Sequence, residues 1–269
     1  MTDFLPAGLF ECSGSLVHPN PICAGPWDPR AMHGGAPTAL VGRFVAAHRG
    51  GEEFHLARLT VELIRPVPIA PLEVEVRIIR PGKRVQLLDA VVRDGDGVEV
   101  VKARGLRLAK TANRVDEPNF ALSPPPAGPP PTECQPYVHG YDREPGRFYM
   151  DAFDMRHTDG NAFGKLGPSA VWLQLKVPVF AGEQTLALDR LLASADFGNG
   201  VSNVLDSSTH AFINPDLTVN IHRLPDGEWV HLHARTHVRC DGYGTATGRL
   251  SDRRGELAIV NQSLLVGPR

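Results

Sequence analysis

The chain has 269 residues, enough for one large domain or two of ordinary size. A hydrophobic content of 42% supports a real core, and a net charge of -2 with a pI near 6.6 gives no electrostatic reason to bind nucleic acid or an anionic membrane. The opening "MTDFLPAGLF" has no basic segment followed by a sustained apolar one, and no run of about 18 apolar residues occurs, so neither a secretory signal nor a membrane span is expected. Cys12, Cys23, Cys134 and Cys240 are scattered without metal-ligand spacing and read as free thiols in a reducing cytosol, which makes a cytoplasmic location the expectation.

In chain order, the first element is a helix within "MHGGAPTALVGRFVAAHRGG", residues 32–51. Leu40, Val41, Phe44 and Val45 form an apolar stripe at helical spacing, and His48, Arg49, Gly50 and Gly51 are end signals. The start is unusual, because His33, Gly34 and Gly35 stand where a Ser or Asp cap is ordinary. A helix N-terminus offers unpaired N–H groups, and glycine admits a close approach to them. Gly34 and Gly35 are therefore candidates for an oxyanion hole, with His33 at its rim. The plainer alternative is that the glycines let the helix enter a sheet without a clash.

Residues 58–110 follow as an antiparallel meander. Leu59, Val61 and Leu63 alternate with polar partners, as do Val74 and Val76, and "RDGDG" at 93–97 is a tight turn between apolar runs. Residues 118–145 hold nine of the 24 prolines, including "SPPPAGPPP", and read as a semi-rigid connector or a surface loop. Beyond it, "AVWLQLKVPV" alternates Val171, Leu173, Leu175 and Val177 against Trp172, Gln174 and Lys176, as a strand does. "TLALDRLLASADFG" carries Leu188, Leu191, Leu192 and Ala195 at helical spacing. A second meander ends the chain.

The two meanders superimpose without a gap at an offset of 158. Leu59-Thr60-Val61 falls on Leu217-Thr218-Val219, Arg65 on Arg223, Arg77 on Arg235, Asp94 on Asp252, Gly97 on Gly255 and Leu106 on Leu264. Each half then reads as strand, buried helix and long antiparallel sheet. That pattern is the hotdog arrangement, so the expected fold is α+β, a double hotdog. The expected units are 1–112 and 147–269, joined by a proline-rich linker at 113–146.

The ordered motifs "HGGAPTALVGRFV", "LTVELIRPVP" with "RPGKRVQLLDAVV", "ASADFGNG", "NPDLTVNIHR" and "VNQSLL" resemble the acyl-CoA thioesterase II type of double-hotdog protein, and more narrowly the thioesterase-like proteins common in actinobacteria. The resemblance covers nearly the whole chain apart from the proline-rich bridge. It implies hydrolysis of an acyl-CoA by a water held between an Asp, a hydroxyl residue and a Gln, with no cofactor and no metal, and it suggests a homodimer. Those positions fall on Asp196, Asn214 and Gln262; Asn214 departs from the hydroxyl and cannot shuttle a proton. At the offset of 158, Asp196, Asn214 and Gln262 lie opposite Thr38, Leu56 and Arg104, so one centre is expected, in the second half. The plainer alternatives are a solvent-facing helix end for Asp196, a turn residue for Asn214 and an edge-strand residue for Gln262. At the level of the molecule, a non-catalytic acyl-CoA or lipid binder is the alternative favoured by Asn214. A hotdog hydratase would carry a His five residues after its Asp, where this chain has Val201.

His231, His233, Arg235 and His237 share one strand face, a spacing poor for a closed metal site and better suited to a polar sheet face or a contact between molecules. "RPGKR" at 80–84 is either a basic contact for coenzyme A phosphates or a solvated hairpin.

Overall fold

A computed structural model of the chain describes residues 5–110, 126, 128–136, 147–158 and 166–269. In chain order the elements are β1 (Phe10–Ser13), β2 (Leu16–Pro19), α1 (Gly35–Ala47), β3 (Phe54–Leu63), β4 (Leu72–Arg80), β5 (Val85–Arg93) and β6 (Glu99–Ala109). Then come β7 (Gln135–Pro136), α2 (Phe148–Asp151), β8 (Phe153–His157), β9 (Ser169–Leu175), α3 (Ala187–Ser194) and α4 (Gly198–Val201). The chain ends with β10 (His210–Ile213), β11 (Asp216–Ile221), β12 (Trp229–Val238), β13 (Tyr243–Asp252) and β14 (Gly255–Pro268). Among the described residues these strands form one antiparallel sheet in the order β1-β2-β4-β5-β6-β3-β11-β14-β13-β12-β9-β8-β7, with β10 beside β14. The architecture is a double hotdog.

The seam between the halves is the β3–β11 pair. Thr60 lies directly opposite Thr218, Leu59 opposite Val219 and Val61 opposite Leu217. The Thr218 hydroxyl donates to Thr60 Oγ1 at 3.3 Å across a separation of 158 residues. The repeat offset is thus the register of the seam: equivalent residues meet at a local two-fold. The helices do not keep this offset. Gly35 opens α1 and Ala187 opens α3, 152 residues apart, so the second helix has slipped by six residues relative to its sheet.

The helix α1 is buried on more than the expected stripe: Gly35 through Gly42 and Val45 are all buried. Packed between the sheet and a neighbouring helix, it carries one charged residue, Arg43, and is otherwise almost wholly apolar. It packs beside α3, and Gly42 permits that contact, since a Cβ there would stand 2.0 Å from Leu192 Cδ1. Arg43 Nη1 binds Asp189 Oδ2 at 2.7 Å, and the same oxygen accepts the Leu186 N–H at 2.8 Å, opening α3. At the other end of α1, the fully buried Arg107 of β6 donates to the carbonyls of Val45, Ala46 and His48 and sits over the Phe54 ring. It closes the orphan C-terminal acceptors of the helix.

The sheet's outer face in the second half differs from the alternation. Trp172, expected on the polar side of its strand, is buried; its indole N–H donates to Pro129 O at 3.1 Å and its ring packs edge-on against His231 at 4.8 Å. Part of the proline-rich stretch therefore covers this sheet. Pro131 and Cys134 are buried, and Gln135–Pro136 add a short edge strand to β8. The rest of 113–146 lies outside the described residues, apart from residue 126. All four cysteines are free thiols.

Candidate active site

The site forms where three local irregularities coincide. The second helix breaks at Ala195–Phe197 into a 3-10 turn before α4 resumes, and the break aims Asp196 at the first turn of α1. Pro215 cannot continue a ladder, and β10 and β11 are separate strands along β14 with Asn214 between them. Across the break, β14 pairs β11 up to Asn261 and β10 from Leu265, and Asp216 Oδ1 accepts the Ser263 N–H at 2.7 Å. Gln262 sits in that gap and points inward, 3% exposed.

Asp196 is the hub. Its Oδ1 accepts from Asn214 Nδ2 at 2.7 Å and from Gln262 Nε2 at 2.8 Å. Its Oδ2 stands 3.3 Å from His33 Nδ1. The Gln262 amide is oriented from its other side, where Oε1 accepts the Asn199 N–H at 3.4 Å. The carboxylate is 7% exposed, and burial raises its pKa from 3.8 to about 7, against the opposing pull of hydrogen bonds from Asn214, Gln262, Gly35 and Gly34. His33 moves the other way: burial lowers its pKa from 6.5 to about 4, so the ring is neutral at pH 7. It stacks on Phe148, with centroids 5.1 Å apart, and lies 5.0 Å from the Phe197 ring.

The structure brings Asp196, Asn214, Gln262, His33, Gly34 and Gly35 into one cluster. The amides of Asn214 and Gln262 donate directly to the carboxylate. The Gly34 and Gly35 N–H groups serve protein acceptors: Gly35 N–H donates to His33 Nδ1 at 3.1 Å, and both help hold the Asp196 charge. The glycines answer to this crowding. A Cβ on Gly34 would stand 2.6 Å from Asp196 Oδ2, and one on Gly35 would stand 2.6 Å from Ala193 O. The N-cap is Gly34 with no side-chain cap, and a carboxylate from the opposite half lies at the positive end of the helix instead.

All of the cluster but Gly35 lines one cavity of about 570 Å³, walled chiefly by apolar residues such as Met32, Leu63, Val67, Met155 and Phe212, with the half-exposed Trp27 among its lining residues. This is the size and character of a small-molecule site. Arg65 lines it; residues 80–84 do not, so the basic hairpin is not a wall of this cavity. Nor do the strand histidines form a centre. His231 is buried beside Trp172 while His233 and His237 are exposed, and among the described residues no three His, Cys, Asp or Glu side chains converge as metal ligands. The aromatic packing of His33 was not legible from sequence, because Phe148 and Phe197 both lie more than a hundred residues away.

A half-open, mostly apolar cavity with a buried carboxylate at its wall thus sits on a double-hotdog frame. Residues 23–108 match the acyl-CoA thioesterase N-terminal domain and residues 127–266 match the acyl-CoA thioesterase C-terminal domain. The chain belongs to the acyl-CoA thioesterase family. Solved structures agree in fold. A protein from Novosphingobium aromaticivorans described as a thioesterase is 20% identical, with 96% of this chain and 98% of that one covered and a TM-score of 0.73. A hotdog-fold protein from Alicyclobacillus acidocaldarius is 17% identical (96% and 95% covered, TM-score 0.73). An acyl-CoA thioesterase II from Mycobacterium marinum is 15% identical (96% and 94% covered, TM-score 0.68). No curated protein matches this sequence. No helix among the described residues is long and apolar enough to cross a membrane.

Proposed function

We propose that this protein hydrolyses an acyl-CoA thioester to the free acid and coenzyme A, with Asp196 as general base toward a water that attacks the thioester carbonyl. The observation carrying this reading is the state of Asp196: a buried carboxylate at the cavity wall whose pKa, about 7, matches the pH at which it must take a proton. His33 is the competing base, but a pKa of about 4 makes it too weak. Asn214 and Gln262 each use one amide N–H on Asp196 Oδ1. The second Gln262 N–H is the donor we assign to the developing oxyanion. Asn214, lacking a hydroxyl, holds the base in place and takes no part in proton transfer. In this reading the apolar lining takes the acyl chain, and Arg65, a cation on the cavity lining, is the residue we assign to a phosphate of the coenzyme.

Free-thiol release across a series of acyl chain lengths tests the proposal. Asn214 favours one other reading, an acyl-CoA binder without turnover, because a fixed amide replaces the proton-carrying hydroxyl. Saturable binding of acyl-CoA with no thiol release above background would establish that reading instead. A cytosolic location and association into a homodimer belong to the same proposal; sedimentation at micromolar concentration checks the second.

A further inference from the structure

The environment of His33 contains a conflict that the general-base scheme leaves unexplained. Gly35 N–H donates to His33 Nδ1, so Nδ1 is unprotonated and the neutral ring carries its proton on Nε2. Asp196 Oδ2 stands 3.3 Å from that same Nδ1. When Asp196 is ionised, its Oδ2 and the ring Nδ1 are two buried acceptors facing one another at 3.3 Å, with the Gly35 N–H shared between them and the Gly34 N–H as a further donor to the carboxylate. Two acceptors so close repel, and a proton on Oδ2 relieves it. The ring cannot turn away easily, since Phe148 and Phe197 pack against it.

Resting on the hydrolase reading, we infer that His33 is a positioning residue for the proton that Asp196 abstracts: the Asp196 O–H formed during water attack donates to His33 Nδ1. In the step, a water O–H bond breaks as its oxygen bonds the thioester carbonyl carbon, and the proton goes to Asp196 Oδ2, held against Nδ1. When the C–S bond breaks, the leaving thiolate takes that proton, and the products are the acid, the free thiol and ionised Asp196. The waiting acceptor makes Asp196 a stronger base than burial alone would. The other ionisable groups around the pair are Tyr149, whose ring is 6.4 Å from His33, and Asp28 and Arg65 on the cavity lining. None is among the groups that shift Asp196 or His33.

The test is a carbon-13 NMR titration of the Asp196 carboxyl in the wild type and in His33→Phe, which keeps a ring between the aromatics. Loss of the acceptor is expected to lower the Asp196 midpoint by about one pH unit, although an apolar ring alone would raise it. An unchanged or raised midpoint overturns the inference. A second measurement needs no variant. In the wild type the nitrogen-15 shift of His33 Nδ1 is expected to move with the Asp196 midpoint; a flat Nδ1 resonance through that titration overturns the inference even where His33→Phe fails to fold. In the activity assay, His33→Phe is expected to shift the acid limb of kcat/KM to lower pH and to cut the plateau about tenfold. Absence of thiol release by the wild type sinks the hydrolase reading, while the two titrations still decide the proton contact.

Discussion

At the scale of residues, the burial that suits Asp196 to the proposed role of base also makes the fold less stable. Its carboxyl holds a proton up to about pH 7 in the folded chain against 3.8 when unperturbed. A raised acid is no burden below the lower value, where both states are protonated. The cost appears as pH rises and is complete above about 7, where it amounts to about 4 kcal/mol. His33 runs oppositely: its pKa is depressed to about 4 from 6.5, so its contribution is present above 6.5 and lost as pH falls toward 4. Asp196→Asn is therefore expected to stabilise the protein by about 2 kcal/mol or more at pH 8, with the gain fading near pH 4, read by thermal unfolding. The glycines separate two effects. Gly34→Ala presses on the carboxylate itself and is expected to lower kcat/KM at least tenfold with little change in Tm. Gly35→Ala meets a backbone carbonyl and the Phe148 ring and is expected to cost about 1–3 kcal/mol of stability. Equal Tm losses in the two variants would contradict this division. From sequence, His33, Gly34 and Gly35 stood out as an unusual helix start, while Asp196 was singled out by the family resemblance. That they meet one another was not legible in the residues alone, because the contact joins the two halves through the 3-10 break at Ala195–Phe197.

Between elements, the helices are held by charges that the apolar pattern hid. Asp189 is fully buried, one of its oxygens takes Arg43, and its Oδ1 has no hydrogen-bond partner among the described residues. Arg43→Met leaves that carboxylate buried without its cation and is expected to destabilise by about 3–5 kcal/mol, whereas Arg43→Met combined with Asp189→Leu recovers most of the loss. Chemical denaturation of the single and double variants checks this; additive losses would show that the pair is not coupled. The strands were readable because alternation and turn chemistry are local: Asp94 of "RDGDG" accepts from the N–H groups of Asp96 and Val98, and Gly97 has a φ of 78°. The helix α1 was readable in extent but not in burial, since a stripe in sequence cannot report that the sheet closes over both sides. Trp172 was assigned outward by the same alternation; covering by Pro129, forty-three residues earlier, is a non-local event.

Over the whole molecule, the offset of 158 proved to be geometry as well as history. It identifies β3 and β11 as the seam, because two-fold related residues must face each other there. The repeated positions have diverged by use. Arg223 binds Asp252 in the second half, while its counterpart Arg65 lines the cavity. With the sheet continuous across the seam and α1 packed on α3, the halves are expected to unfold together. Calorimetry is expected to give equal calorimetric and van't Hoff enthalpies; two separate transitions would show that 1–112 and 147–269 are independent units.

The measurement that bears most directly on the central claim is the pH dependence of kcat/KM for acyl-CoA hydrolysis in the wild type beside Asp196→Asn. The account predicts activity that rises with pH through about 7, as Asp196 becomes ionised, and a loss of about 10²–10⁴-fold in the folded variant. Full turnover by Asp196→Asn, or a wild-type profile flat between pH 5 and 9, would contradict it.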